Sequence, residues 1–246
     1  MKKIFLAILL ALSLGASAQT VKIAAAGDMK YIMPEFVAKY KELHPKADIQ
    51  VSYGSSGMFY QQIYNGATFD LFFSADITYP QKLKADGLVS GDVITYAYGS
   101  LVLYSTTLDV SKGIDILKES TISKVGIANP QHAPYGKRAE ECLKYYKLYN
   151  SVKDRLVFGD NILQTAQYAL TGNVDVALIA LSIAMAPEIK GKGNYLLLDS
   201  KSFSPLEQGC VMMKNSQNSS EAAKFKDFIL SNESKTIFEK YGFIVP

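Results

Sequence analysis

The sequence contains no tryptophan and, among its 246 residues, only two cysteines and two histidines. Two distant cysteines and two isolated histidines do not form the clustered ligand set of a zinc site. The nucleotide-binding motifs G-x-x-x-x-G-K and G-x-G-x-x-G are both missing. Sixteen tyrosines without tryptophan or a basic stripe are typical of packing rather than of a nucleic-acid surface. The composition therefore argues against metal, cofactor, nucleotide and nucleic-acid functions.

The sequence also lacks a recognisable set of catalytic residues. The hydrolase motif G-x-S-x-G is not met at Ser56, because no glycine stands two residues after it. His44 precedes a proline at a predicted helix end and His132 lies in a proline-flanked loop, so both are expected to be structural or exposed rather than general bases. We therefore predict that the protein is not an enzyme.

The first 18 residues have the pattern of a signal peptide. Lys2 and Lys3 precede an apolar stretch at residues 4–14, and small residues at 16–18 form a cleavage site before Gln19. The apolar stretch is shorter than the roughly 20 residues of a membrane span. No cysteine follows the small residues, so no lipid anchor is indicated. We predict cleavage near Ala18 and a soluble periplasmic protein, which would also be a monomer.

Removal of residues 1–18 from 246 leaves 228 residues, and the loss of two lysines leaves 24 of 26 basic residues against 23 acidic ones. Such a small net charge does not attract nucleic acid or anionic membrane. An oxidising compartment allows Cys142 and Cys210 to form a disulfide, but their separation in sequence does not establish proximity. The alternative, which we favour, is two buried free thiols.

Beyond residue 18, apolar runs that predict strands alternate with segments of helical periodicity. This alternation is typical of βαβ crossovers and predicts an α/β fold with mostly parallel sheets flanked by helices. No linker rich in proline, glycine or serine divides the chain. We therefore predict two lobes that share two crossing strands, at residues 96–104 and 208–213, with Gly99 and Gly209 as the hinge positions.

The strongest functional signal is a turn at residues 54–57, between a predicted strand and a predicted helix. Glycines on both sides of Ser55 and Ser56 allow the backbone to turn sharply and to approach a ligand closely. The first N–H groups of the helix have no partner inside it, so the turn suits an anion. The alternative interpretation is that Ser55 merely caps the helix, as serine commonly does.

Similar turns occur elsewhere in the chain. Gly27 and Asp28 follow the first predicted strand, and Asn161 and Ile162 begin a later helix. Successive turns of this kind meet at one edge of a sheet, where open α/β folds bind ligands. The carboxylate of Asp28 has two interpretations: it caps its own helix, which we favour because Asp is a preferred N-cap residue, or it faces the cleft and repels an anion.

Several segments together resemble the periplasmic molybdate-binding proteins of bacterial ABC uptake systems, over essentially the whole mature chain. These segments are AAAGDMK (24–30), SYGSSG (52–57), NGATFDLFFSAD (65–76), NPQHAPYGKRAEECL (129–143), GDNILQTAQYAL (159–170) and FEKYGF (238–243). The resemblance implies a type II, two-lobed periplasmic binding protein with the ligand between the lobes. It places lobe 1 at residues 19–98 plus 209–246 and lobe 2 at residues 99–208.

The resemblance also implies a ligand and its contacts. Molybdate, and by close chemistry tungstate, would be captured and delivered to an inner-membrane ABC permease. The family's oxyanion contacts fall on Gly27, Ser56, Tyr135 and Ile162, and the neighbouring residues in the same turns are Asp28, Ser55 and Asn161. Neutral donors are sufficient for a tetrahedral dianion, because it presents only acceptors.

This sequence departs from the family pattern at two positions. The family commonly carries a hydroxyl residue where this chain has Gly27, and Ala180 aligns with a ligand-contacting tyrosine of some members. The hydroxyl of Tyr135 is a candidate replacement. These changes keep open an alternative function, an exported binding protein on the same scaffold for another anion such as sulfate, phosphate or a small organic acid.

Overall fold

The computed structural model describes residues 20–246, so the predicted signal peptide lies outside the described residues. The ten strands of this part of the chain are β1 (Val21–Ala26), β2 (Ile49–Gly54), β3 (Leu71–Ser74), β4 (Val89–Gly99), β5 (Leu101–Ser105), β6 (Val125–Ala128), β7 (Leu156–Gly159), β8 (Val176–Ala180), β9 (Asn194–Leu197) and β10 (Leu206–Met213).

Nine α-helices are assigned over the same range: α1 (Met33–Leu43), α2 (Ser56–Tyr64), α3 (Thr78–Ala85), α4 (Pro134–Tyr145), α5 (Tyr149–Val152), α6 (Ile162–Leu170), α7 (Leu181–Ala184), α8 (Ser219–Ile229) and α9 (Asn232–Lys240). Short 3₁₀ turns, among them Gly27–Met29 and Ser200–Ser202, connect some of them. Within residues 20–246, none of these helices is both long and apolar enough to span a bilayer.

The first sheet has the strand order β2-β1-β3-β10-β4. β1 pairs in parallel with β2 and β3, whereas β10 runs antiparallel to β3 and β4. The central strand β3 is buried along its whole length, because helices cover both faces of the sheet. The turns that follow β1, β2 and β3 consequently lie at the same edge of this sheet.

The second sheet repeats this plan with the order β7-β6-β8-β5-β9. β6 pairs in parallel with β7 and β8, and β5 runs antiparallel to β8 and β9. Each sheet therefore has two parallel and two antiparallel pairings, and four of its five strands run in the same direction, which confirms the predicted mostly parallel sheets. The antiparallel strands are those through which the chain enters or leaves a lobe without a crossover helix.

The two lobes are joined differently from the prediction. The predicted crossing strand at residues 96–104 is two strands, because β4 ends at Gly99, β5 begins at Leu101, and they belong to different sheets. β10 does not cross, since all its pairings are within the first sheet, and the chain returns through residues 198–205. The lobe boundaries at 98/99 and 208/209 stay a prediction, although Leu206 already pairs with Gly99.

The C-terminal helices α8 and α9 complete the first lobe. Phe238 of α9 packs against Phe36 of α1 with ring centroids 4.9 Å apart, and Phe225 of α8 packs edge-on against Tyr40 at 5.0 Å. The chain end then pairs with β4, where the Tyr98 N–H donates to the Ile244 carbonyl at 2.7 Å. The segment that leads to the second lobe is thereby held by the end of the chain.

Cys142 and Cys210 are both free and fully buried. Cys142 lies in α4 of the second lobe and Cys210 in β10 of the first, so the favoured alternative of two buried thiols agrees with the structure. Burial raises the pKa of Cys142 to about 11 and that of Cys210 to about 12. Both thiols are therefore inert in the folded protein at neutral pH.

We expect a thiol-specific reagent at pH 8 to label the folded protein very slowly and to label two thiols per chain once denaturant is added. Burial and the raised pKa values together suppress the reactive thiolate. The measurement is a colorimetric thiol count on exported protein purified without reductant. Failure to detect thiols in denaturant would show that the two cysteines are oxidised, contrary to the structure.

Candidate functional site

A small cavity lies between the two lobes, at the edges where both sheets end. Its volume is about 10 Å³, roughly what one water molecule requires. The first lobe lines it with Ala26, Gly27, Asp28, Gly54, Ser55, Ser56 and Ala75, and the second with Ala133, Pro134, Tyr135 and Ile162. Six of the seven predicted ligand contacts, all except Asn161, thus line the cavity, and they come from four separate chain segments. A tetrahedral oxyanion is larger than water, so the lobes must separate slightly to hold one.

The start of α2 supplies donors from the first lobe. The first bond inside this helix runs from the Phe59 N–H to the Ser55 carbonyl at 3.0 Å. Across the cleft, the Gly57 N–H donates to the carbonyl of His132 at 2.9 Å. The Ser56 N–H, at the first helical position, has no partner among residues 20–246. Its hydroxyl oxygen accepts from the Ala75 N–H at 3.0 Å, which leaves the O–H proton available to a ligand.

Ser55 occupies the N-cap position of α2, but its side chain does not cap the helix. The hydroxyl instead donates to the His132 carbonyl in the other lobe, and it lies 3.2 Å from the Nδ1 atom of the same histidine. The interpretation of Ser55 as a simple helix cap was therefore wrong. Ser55 and the loop of His132 connect the two lobes beside the cavity.

Two helix starts face the cavity from the second lobe. α4 begins with Pro134, which has no N–H group, and its first internal bond runs from Lys137 to Ala133 at 3.1 Å. The Tyr135 N–H therefore has no partner within the described residues. Gly136 is required at this point, because a Cβ atom there would lie 1.9 Å from the carbonyl oxygen of Ala128 at the end of β6.

α6 begins in a similar way. The Asn161 side chain caps it by accepting from the Gln164 N–H at 3.0 Å, and the Thr165 N–H closes the first turn onto the Asn161 carbonyl at 3.1 Å. The N–H groups of Ile162 and Leu163 are left without partners in the described part of the chain. Asn161 therefore positions the helix start rather than lining the cavity, in contrast to its predicted place among the ligand contacts.

Asp28 lies inside the 3₁₀ turn Gly27–Met29, and no cap hydrogen bond is formed by it. Its Oδ2 atom accepts from the Tyr135 hydroxyl at 3.1 Å and from the Gln208 amide nitrogen at 2.6 Å. Gln208 in turn accepts from the Tyr96 hydroxyl at 2.6 Å. The favoured prediction, that Asp28 caps its own helix, was wrong. We call Asp28, Tyr135, Gln208 and Tyr96 the acid cluster.

Burial raises the pKa of Asp28 from its ordinary value of 3.8 to about 6, against the opposing effect of hydrogen bonds from Gln208 and Tyr135 and of the backbone N–H groups of Asp28 and Met29. This difference corresponds to about 3 kcal/mol against the ionised form. Gly99 makes room for the cluster, because a Cβ atom there would lie 2.3 Å from the Tyr135 hydroxyl. Gly99, which was predicted as a hinge position, is therefore also required because a side chain there would clash with Tyr135.

Three functional features were missed by sequence reasoning. From the sequence, Gln208 is predicted only to begin a strand, although an amide in a run of buried residues is a signal for an internal polar partner. Arg138 of α4 forms a buried interlobe ion pair with Asp76 at 3.4 Å. The Ser182 hydroxyl of α7 donates to the Asp28 carbonyl at 2.9 Å, again across the cleft. Ala180, just before α7, is buried and supplies no hydroxyl.

Two α/β lobes, linked near Ser100 and enclosing a cavity lined by helix starts, define a periplasmic binding-protein fold of the two-lobed type. Residues 21–244 match the family model for bacterial extracellular solute-binding proteins, and the chain belongs to this family. It is accordingly a solute-binding protein and not an enzyme, as the sequence predicted.

Individual relatives agree with this assignment. The chain is 32% identical over 240 residues to the molybdate-binding protein ModA of Rhodobacter capsulatus, covering 97% of this chain and 94% of that protein. The solved structure of the periplasmic molybdate-binding protein of Azotobacter vinelandii matches with a TM-score of 0.87 and 26% identity, covering 92% of this chain and 99% of that one. The sulfate-binding protein SubI of Mycobacterium tuberculosis matches with a TM-score of 0.72 over 92% of this chain and 86% of its own, and at 17% identity it shows a shared fold.

Gly27 provides a test of how closely the lobes approach. A Cβ atom there would lie 3.3 Å from Ile162 Cγ2 and from two atoms of Leu163, all in the other lobe. We expect Gly27→Ala to weaken binding of molybdate, the oxyanion predicted from the sequence, by about tenfold (~1.4 kcal/mol) because full closure is hindered. Gly27→Ser should recover affinity, since a hydroxyl donor to a charged group contributes about 1.5–3 kcal/mol.

The two variants form a matched pair, because both add the same Cβ atom and only one adds a donor. Calorimetric titration of each gives the two contributions separately. Equal losses of molybdate affinity in Gly27→Ala and Gly27→Ser would show that no donor is missing at this position. Unchanged affinity in the Gly27→Ala variant would show that the other lobe leaves enough space for a Cβ atom at this position.

Ser56→Ala should weaken molybdate binding by about 1.5–3 kcal/mol, the range for a hydrogen bond to a charged group. It should also lower stability by about 1–3 kcal/mol, because the buried Ala75 N–H loses its acceptor. Ser220→Ala is the control, because Ser220 of α8 is exposed and does not line the cavity. Calorimetry and thermal melting measure the two effects, and a melting loss without an affinity loss would assign Ser56 a structural role alone.

Proposed function

We propose that the protein captures molybdate in the cavity between its lobes and delivers it to an ABC permease of the inner membrane. The single observation that carries this proposal is the convergence of turns from both lobes, at Gly27, Ser56, Tyr135 and Ile162, around one cavity lined by no basic side chain. The 32% identical relative named as a molybdate-binding protein supports the choice of ligand.

The chemistry of the donors fits a tetrahedral dianion. Such an ion offers only acceptor oxygens, which require N–H or O–H donors. The starts of α2, α4 and α6 offer partnerless N–H groups and the positive ends of three helix dipoles. Donors of this kind hold an anion without leaving a buried, unpaired cation in the empty cleft.

Tungstate has the same shape and charge as molybdate and nearly the same size, so the same donors accept it. Delivery to a permease requires the protein to be exported, in agreement with the predicted signal peptide, and we propose that it acts in the periplasm as a monomer. The seven predicted contacts then divide by role. The ligand accepts from Gly27, Ser56, Tyr135 and Ile162. Ser55 and Asn161 support these donors, and Asp28 lies in the cavity wall.

Closure of the lobes converts binding into a signal that a permease can recognise. Protein contacts already cross the cleft, from Gly57 and Ser55 to His132 and from Arg138 to Asp76. The ligand adds bonds to both lobes only when they close around it, slightly farther apart than in this structure, so it binds that closed arrangement more tightly than an open one. Such differential affinity is what a ligand-driven conformational change requires.

A second candidate is an exported receptor for another anion, such as sulfate, phosphate or a small organic acid. The observation that favours it is the altered donor set: Gly27 and Ala180 lack hydroxyl groups, and the Tyr135 hydroxyl is directed at Asp28. A ligand of different size or protonation would suit these changes.

A thermal-shift screen with molybdate, tungstate, sulfate, phosphate and citrate distinguishes the two. A ligand present at about 100 times its dissociation constant stabilises the folded state by roughly 2.7 kcal/mol. For a domain of this size that corresponds to a rise in melting temperature of about 5–10 °C. We expect this rise with molybdate and tungstate. A rise with sulfate, phosphate or citrate but not with molybdate would establish the second candidate instead.

A further inference from the structure

The proposed function does not explain why a carboxyl group lies in the wall of an anion cavity. Asp28 lines the cavity and is only 1% exposed. Its Oδ2 atom accepts two hydrogen bonds, whereas its Oδ1 atom is buried and has no hydrogen-bond partner among residues 20–246. A buried oxygen without a partner beside a binding cavity indicates an interaction that only the ligand completes.

The groups packed around Asp28 supply no counter-charge. Tyr135 of α4 and Tyr96 of β4 are its titratable neighbours, and Gln208 of β10 and Ser182 of α7 are neutral. Among the described residues no lysine, arginine or histidine forms an ion pair with Asp28; Arg138, on the same helix as Tyr135, pairs with Asp76 and Glu141. An ionised Asp28 would therefore face a bound dianion with no side-chain cation to offset the repulsion.

The protonated form removes this conflict. Oδ2 is occupied as a double acceptor, so the acid proton belongs on Oδ1, the oxygen with no other partner. A carboxylic acid in that state donates an O–H to an acceptor oxygen. It would supply the side-chain hydroxyl-type donor that Gly27 and Ala180 do not provide.

We propose that Asp28 is a carboxylic acid in the complex and donates its Oδ1 proton to an oxygen of the bound anion, so that one proton is captured with each anion. This inference rests on the proposed function of the cavity as an oxyanion site. In the balanced process the free protein, one anion and one solvent proton form the complex, and no covalent bond changes except O–H formation at Oδ1.

The direction of the pH effect follows from linkage. Burial raises the pKa of Asp28 to about 6 in the closed protein. Below that pH the acid is already protonated and binding needs no further proton. Above it, each anion must bring in a proton from solution, so the dissociation constant rises about tenfold for each pH unit.

The test is calorimetric titration with molybdate between pH 6 and 8.5. For the unmodified protein we expect the dissociation constant to rise about tenfold per pH unit between pH 7 and 8.5. Titrations at pH 8 in two buffers of different ionisation enthalpy should show uptake of about one proton per anion. This second measurement needs no variant and decides the proposal if a variant fails to fold.

Asp28→Asn supplies an N–H donor in place of the acid proton, while its amide oxygen keeps the hydrogen bonds from Tyr135 and Gln208. We expect this variant to bind molybdate with an affinity independent of pH and, at pH 8.5, at least tenfold tighter than the unmodified protein. Asp160→Asn is the matched control, because Asp160 is exposed and does not line the cavity. It should keep the full pH dependence.

Binding of molybdate without proton uptake, at an affinity that stays constant from pH 6 to 8.5, would overturn the proposal and leave the proposed function intact. So would an Asp28→Asn protein that folds but binds more weakly at every pH. If molybdate, tungstate, sulfate and phosphate all fail to bind anywhere in this range, the proposed function itself is wrong.

Discussion

The helix starts without internal hydrogen-bond partners are the constraint on which the rest of this structure depends. Every α-helix begins with N–H groups that its own turns do not satisfy, and burial of such groups is costly unless something accepts from them. Here the starts of α2, α4 and α6 are all brought to one place between two lobes. Some of these N–H groups donate to acceptors of the protein itself; the Gly57 N–H, for example, donates to the His132 carbonyl. The remainder is available to a ligand.

The contacts across the cleft set how much of the closed state the protein supports by itself. Ser55 donates to the His132 loop, the Tyr135 hydroxyl donates to Asp28, and Arg138 pairs with Asp76. Each is buried or half-buried and joins residues that are distant in sequence. Against them stands the raised pKa of Asp28, because its ionised form disfavours the empty, closed cavity at neutral pH. The charge state of Asp28 therefore acts together with these cross-cleft contacts on the balance between open and closed lobes.

Much of the fold was predictable because its signals are local. The apolar runs of β1, β3 and β8 are buried strands, and the turn at Gly54 and Ser56 connects a strand to a helix whose start lines the cavity. Strand direction was less predictable. The antiparallel course of β10 follows from its pairing with β3 and β4, a contact between distant segments that no local pattern encodes.

The same distinction, between local signals and contacts of distant segments, explains which roles of the site residues could be predicted. The N-cap positions of Ser55 and Asn161 could be predicted from residue type, but only Asn161 uses its side chain as a cap. The Ser55 hydroxyl donates to a carbonyl 77 residues away in the sequence instead of capping its helix. The Asp28 carboxyl likewise accepts from a hydroxyl and an amide that are 107 and 180 residues away. Preferences of single residues describe what a side chain does when no tertiary partner competes.

The acid cluster also explains why several unusual residues occur together. Asp28, Tyr135 and Gln208 share hydrogen bonds, and a group in such a network cannot be removed without leaving a buried partner unsatisfied. Gly99 belongs with them, since any side chain there would displace the Tyr135 hydroxyl. A large aromatic side chain at position 135 therefore requires a glycine at position 99 and an acceptor at position 28. The tyrosine is best understood as the support of a buried acid, and the acid, rather than the tyrosine, is the side chain of this cluster that has an oxygen left for the ligand.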